Sequence, residues 1–136
     1  MERRSPLTDV AGLGLLAWGI LLGYISVPTL LSHGPTWDGG ISVIGAVLAA
    51  GHLAAAIGVT RRAAWGRRLG LAMGALGLFG SASVLITLTV SVISSGSQGI
   101  RGFLGLPLAI PAAMVAAYAL ILVFLLRAGP EFRRSA

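Results

Sequence analysis

The chain has no cysteine, no lysine and only four acids in 136 residues. Without cysteine there is no disulfide, no thiolate metal site and no thiol chemistry, and the redox compartment leaves no trace. The acids, Glu2, Asp9, Asp38 and Glu131, are too scattered to pair for hydrolysis or metal binding. Asp9 and Asp38 lie at opposite ends of an apolar run, so no Ser/His/Asp set shares a depth. Neither H-E-x-x-H nor G-x-x-x-x-G-K occurs, which removes the zinc-peptidase and phosphate-loop readings. An enzyme is not expected, and no cofactor is implied.

What is present is apolar. Hydrophobic residues make up 56% of the chain and charged ones 10%, and the mean hydropathy is +0.91, more than a water-soluble core of this size can hide. Crossing a hydrocarbon core about 30 Å thick takes about 20 mostly apolar residues. Val10 to Leu31, Ile41 to Thr60, Leu69 to Ile93 and Leu104 to Leu126 qualify, and none contains Asp, Glu, Lys or Arg. Unpaired backbone groups are too costly in lipid for anything but helices or a closed barrel, and such continuous runs are not alternating barrel strands. The expected fold class is all-α integral membrane: a single four-transmembrane-helix bundle, with helices over about 7–31, 41–60, 69–94 and 104–127. The first run exceeds the about 7–15 residues of a signal core and lacks an A-x-A-like site near Ser32 to Gly34, so it reads as an uncleaved helix.

The arginines set the orientation. Arg3 and Arg4 precede the first run, Arg61, Arg62, Arg67 and Arg68 fill the second connection, and Arg127, Arg133 and Arg134 follow the fourth run. By the positive-inside rule these clusters face the cytoplasm, with both termini, in a multi-pass protein of the cell membrane. Only Arg101 lies on the other side, with His33 and Asp38. The clusters act as topology signals, and Arg61, Arg62, Arg67 and Arg68 are candidate lipid head-group contacts. The net charge of +6 belongs to membrane faces rather than to a folded basic module, so nucleic acid is not an expected partner. Ser5 and Pro6 suit a helix start, and Gly34 to Gly40 reads as a turn with Asp38 capping the second helix. Trp37 and Trp65 fall at opposite interfaces, where indoles concentrate.

Lipid supplies no hydrophobic drive between helices, so close approach through small residues substitutes for it. In the third run Gly66, Gly70, Gly74, Gly77 and Ser81 form a candidate packing ridge, a glycine zipper within a sector of about 80°. Ser83, Thr87 and Ser91 form a polar stripe beside it, expected to meet other helices, while Leu71, Leu78, Phe79, Leu85, Ile86 and Ile93 are expected to face lipid. Gly19 and Gly23, Gly45, Ala49 and Ala56, and Ala109, Ala113 and Ala117 give the other runs their own small-residue seams. Pro107 and Pro111 are read near the start of the fourth helix.

His52 is the one ionisable side chain, other than tyrosine, well inside a span. Such groups are functional-site hypotheses by default. Counted along the helices, Trp18, Ser81 and Tyr118 reach a similar depth, so the four form a candidate polar cluster. An uncharged imidazole bonded to Ser81 or Tyr118 costs least to bury. The functional readings are a proton relay, a haem ligand, or a contact to a quinone or lipid; further titratable groups or a second histidine at that depth are missing, which favours an interhelical hydrogen bond. The small multidrug resistance exporters share this size and helix number, but they carry an acid in the first helix, which Val10 to Leu31 lacks, so no family membership follows. The functional expectation is a noncatalytic accessory or assembly subunit acting through helix association, with the bilayer and another membrane protein or a second copy as partners. The alternative is a small oligomeric transporter or channel for a neutral solute, lined by Ser83, Thr87 and Ser91 with Tyr24 and His52 nearby.

Overall fold

The computed structural model describes residues 6–33, 37–94, 105–129 and 132, with side chains described except at 30, 33, 37–41 and 105–107. Four helices follow one another: α1 (Pro6–His33), α2 (Trp37–Thr60), α3 (Ala64–Ser94) and α4 (Gly105–Arg127). Each is long and apolar enough to cross a membrane. Arg3, Arg4, Arg101, Arg133 and Arg134 lie outside the described residues, as does most of the connection Ser94 to Gly102.

Two boundaries differ from expectation. The third helix begins at Ala64, not near 69, and the second at Trp37, not near 41. Hydropathy marks where a helix becomes apolar, whereas the hydrogen-bonded helix runs on through its interfacial turn. Arg67, Arg68 and Trp65 are ordinary helix formers that break the apolar run without breaking the helix. Asp38 therefore falls within the first turn of α2 rather than ahead of it.

The connection from α2 to α3 is three residues long, and its hydrogen bonds show how it turns. Arg62 N–H donates to the Val59 carbonyl at 2.9 Å and Ala63 N–H to the Gly58 carbonyl at 2.9 Å, the paired bonds of a Schellman helix end. That motif places one residue in the left-handed region, here Arg62 with φ 56°, where glycine is the usual occupant because a Cβ is strained there.

Sequential helices run antiparallel, and the small residues set the register. Gly19 of α1 lies against Leu53 of α2 and Gly23 against Ala49; Gly66 of α3 lies against Gly58 of α2; Gly70, Gly74 and Gly77 of α3 meet Leu125, Leu122 and Tyr118 of α4. α1 also contacts α4, so the helices close into a ring with α1 and α3 across from each other. Both the start of α1 and the end of α4 then lie beside the α2–α3 turn, at what is here termed the arginine end. At Gly58 and Gly66 backbone meets backbone, and a Cβ on either would overlap the other chain segment.

Packing is uneven along the bundle. The core, Ala11, Leu15, Ala55, Ala56, Val59, Tyr118, Ile121, Leu125, Ala128 and Phe132, occupies the half nearer the arginine end. Of the most apolar stretch of each helix, 6% of the α3 residues are buried against 22% to 33% in the others. Among the described residues of α3 only Gly66, Gly70, Gly74 and Ser81 are fully buried; beyond Ser81, Leu85, Leu88 and Val92 are half-buried, while Val84, Ile86, Val90 and Ile93 are exposed. Close contact needs surfaces without side chains when lipid can solvate the rest, and the ridge ends where the packing ends.

Gly66→Ala is expected to destabilise the bundle by about 1–3 kcal/mol, the usual cost of forcing atoms into a closed contact, whereas Gly80→Ala, where a Cβ meets nothing within 4 Å, is expected to be silent. Unfolding in detergent micelles measures both, and equal effects would contradict the register. By the same measurement Arg62→Gly is expected to stabilise by on the order of 1 kcal/mol, because it relieves the left-handed strain.

Candidate functional site

Three of the four residues expected at a common depth meet across the bundle. The Tyr118 Oη lies 3.2 Å from His52 Nε2, and the ring centroids are 5.9 Å apart in an edge arrangement at 61°. Trp18 of α1 stacks on Tyr118, with centroids 5.3 Å apart and planes 14° from parallel. His52 and Tyr118 are both 2% exposed. At 1.5 Å per residue, His52 stands about 12 Å from the α2 end at Thr60 and Tyr118 about 14 Å from the α4 end at Arg127.

The partners determine where the protons are. His52 Nδ1 lies 2.7 Å from the Leu48 carbonyl oxygen, which can only accept, so in the uncharged ring Nδ1 carries the hydrogen. Nε2 is then an acceptor, and the Tyr118 hydroxyl donates to it. Ser81 is buried beside this pair, but its hydroxyl donates to its own helix, at 2.7 Å from the Gly77 carbonyl and 3.2 Å from that of Leu78. Between the two partners weighed for His52, the bond is made by Tyr118 and not by Ser81.

The ridge and the cluster are parts of one contact. A Cβ at Gly77 would overlap the Tyr118 ring, so the tyrosine approaches α3 this closely only because position 77 has no side chain. Depth along each helix pointed to Tyr118; it gave no hint that Gly77 seats it. Leu48 was also missed, because its contribution is a backbone oxygen that any residue type supplies.

The polar stripe is placed differently from expectation. Ser83, Thr87 and Ser91 are all exposed, and Ser83 Oγ donates to the Phe79 carbonyl of its own helix at 2.9 Å; among the described residues no other helix covers the stripe. Ile86 and Ile93 on the bulky face are exposed as expected, and so is Phe79, at 76%, while Leu71, Leu78 and Leu85 are half-buried. Tyr24 is 78% exposed and shares no surface with buried His52.

The arginines divide by role. Arg61 and Arg68 are exposed, as a head-group contact requires, while Arg62 and Arg67 are partly buried. Arg67 Nε donates to the Leu125 carbonyl at 3.0 Å, and a Cβ at Gly129 would stand 2.8 Å from Arg67 Nη2. The guanidinium thus bonds a last-turn carbonyl of α4, where a cation also suits the helix dipole. Arg62 Nη2 is buried without a hydrogen-bond partner.

Beyond the cluster α1 and α2 stay packed, Gly23 on Ala49 and Gly45 on Ser26, and a half-open cavity of about 430 Å³ lies between the helices, with Ile44, Leu76 and Val84 exposed at its rim. His52, Ser81 and Tyr118 line it at its arginine-end limit, and Leu22, Ile44, Leu48, Val84 and Met114 are among its apolar walls. Among the described residues no three potential metal ligands converge.

A double-mutant cycle on Tyr118→Phe and His52→Leu is expected to give a coupling of roughly 1 kcal/mol in micelle unfolding, near the range for hydrogen bonds between membrane helices. No measurable coupling would deny the bond. No protein-family model, no curated protein and no solved structure matches this chain, so what the site does must be argued from its own contacts.

Proposed function

We propose that the chain is a noncatalytic subunit of the cell membrane, with both termini cytoplasmic, that works by helix association with another membrane protein or a second copy. The orientation rests on the arginine clusters and the positive-inside rule. The observation that carries the association reading is the exposed hydroxyl face on the outer half of α3. Ser83, Thr87 and Ser91 recur every four residues, so they share one face, and all three are exposed. Small hydroxyl residues are what helix pairs in lipid use for close approach and interhelical hydrogen bonds.

The conducting alternative draws on the same stripe, but only between copies. Within one chain the arginine half is filled, with Leu15, Val59 and Leu125 at 0% exposure, so a neutral solute would need a path on the outside of the bundle. The chemistry offered by His52 and Tyr118 is consumed in their mutual bond and in the Leu48 carbonyl, which supports a structural use of the cluster.

Affinity purification in mild detergent with mass spectrometry tests the proposal. A defined partner or oligomer is expected, lost when Ser83, Thr87 and Ser91 are replaced together by Leu, with unfolding in micelles unchanged. A clean monomer that passes neutral solutes in proteoliposomes, with flux abolished by Thr87→Val, would overturn it in favour of transport.

A further inference from the structure

We infer that the cavity between the outer halves of the helices is a binding site for one acyl chain of a membrane lipid. It holds about 430 Å³, within the range of small-molecule sites. A water claims about 30 Å³ of liquid volume and a methylene is of similar size, so the space takes on the order of fourteen methylenes. Its walls come from all four helices: Leu22 from α1, Ile44 and Leu48 from α2, Leu76 and Val84 from α3, Pro111 and Met114 from α4. Ile44 and His52 are eight residues apart on α2, so the wall rises about 12 Å from the polar cluster.

The hydrogen-bond inventory selects the occupant. Among the described residues the polar side chains lining the cavity are His52, Ser81 and Tyr118, and each proton they own is engaged: Nδ1–H on the Leu48 carbonyl, the Tyr118 hydroxyl on His52 Nε2, and the Ser81 hydroxyl on the carbonyls of Gly77 and Leu78. A quinone or a fatty-acid carboxyl would find no free donor, and its oxygens would be buried unpaired at a cost of a few kcal/mol. A water cluster is equally ill served, since each water needs two to four polar partners. A hydrocarbon chain demands nothing, and it is the material that surrounds helices of this length and hydropathy. An unfilled cavity would forfeit dispersion contacts along every wall.

α3 is shaped for the occupant. Leu76, Gly77, Gly80, Ser81 and Val84 line the cavity and fall within about 140° of one side of the helix. Gly80 and Val84 lie near the centre of that sector. A Cβ at Gly80 meets nothing within 4 Å, so this glycine is not needed for helix contact, in contrast to Gly77 beneath Tyr118. Its smallness leaves room for a ligand.

The test uses the full chain reconstituted with a phospholipid that carries a photoactivatable diazirine near the end of one acyl chain, followed by peptide mapping. Labelling is expected to concentrate on Leu48, Val84 and Met114 and to fall at least fivefold in Gly80→Leu, with labelling of exposed Phe79 unchanged. Val84→Phe is the second filling variant and is expected to act alike if Gly80→Leu does not fold. Labelling spread evenly over the exposed apolar faces, or unaltered by both variants, would overturn the site, since it would mean surrounding lipid only. Displacement of the label by a stoichiometric short-chain quinone would overturn the choice of occupant. This inference does not depend on the association reading, because the Gly80 and Val84 variants test the cavity whereas the Ser83, Thr87 and Ser91 variant tests the partner face.

Discussion

Tyr118 approaches α3 closely because Gly77 has no side chain, and the meeting of the four helices depends on that contact. The ring, held against α3, reaches His52 of α2 with its hydroxyl at 3.2 Å and stacks on Trp18 of α1. One residue of α4 thus touches every other helix. In water a bundle of this size would be held by burying apolar area. Between membrane helices that drive is absent, and close packing and hydrogen bonds must do the sorting. A contact that supplies both in one place determines how α4 is rotated, and with it which residues of α3 are covered.

The glycine pattern and the fold were legible because both express one spacing. Four-residue repeats of Gly in α3 mark a side of the helix, and Gly66, Gly70 and Gly74 are indeed buried. What covers them was not legible, because depth along a helix is readable by counting while the rotation of its neighbour is not. Ser81 and Tyr118 lie at the same level as His52, so counting left two partners; rotation gave the bond to Tyr118 and turned the Ser81 hydroxyl back onto its own helix. The exposed Ser83 illustrates why polarity misleads in lipid. A hydroxyl that bonds the carbonyl of the preceding turn is satisfied wherever it points, so a polar stripe need not face protein. Arg67 shows the converse: read as one of four interfacial charges, it is committed to α4, through a carbonyl 58 residues away in sequence.

The two halves of the bundle follow from where the ridge stops. From Gly66 to Ser81 small residues allow α3 to approach α2 and α4, and the short Schellman turn at Arg62 holds the α2–α3 pair together at that end. Past Ser81 the sequence of α3 turns to Val84, Ile86, Val90 and Ile93, all exposed, and no glycine between Gly80 and Ser94 brings a neighbour close. The result is a filled end and an open one. A filled end suits neither a pore nor a shuttle through a single chain, whereas an open end leaves both a free α3 face and a cavity beside it.

The position of the imidazole at the border between these halves has a physical reason. Deeper in the filled half it would displace side chains such as Leu15, Val59 and Leu125, which leave no room for a partner; farther out its ring nitrogens would face hydrocarbon. At the border Nδ1 finds the Leu48 carbonyl one turn away and Nε2 finds a hydroxyl from across the bundle. Both bonds are made within the protein, so the polar group is buried at little cost. The same closure leaves the cavity next to it without free donors, and recognition there must come from shape and dispersion rather than from hydrogen bonds. A site of that kind discriminates by chain length and bulk, and the residues that set those limits are Gly80 and Val84 on one wall and Pro111 and Met114 on the other. Enlarging any of them shortens what fits, while altering His52 or Tyr118 changes the stability of the floor without changing the class of molecule admitted.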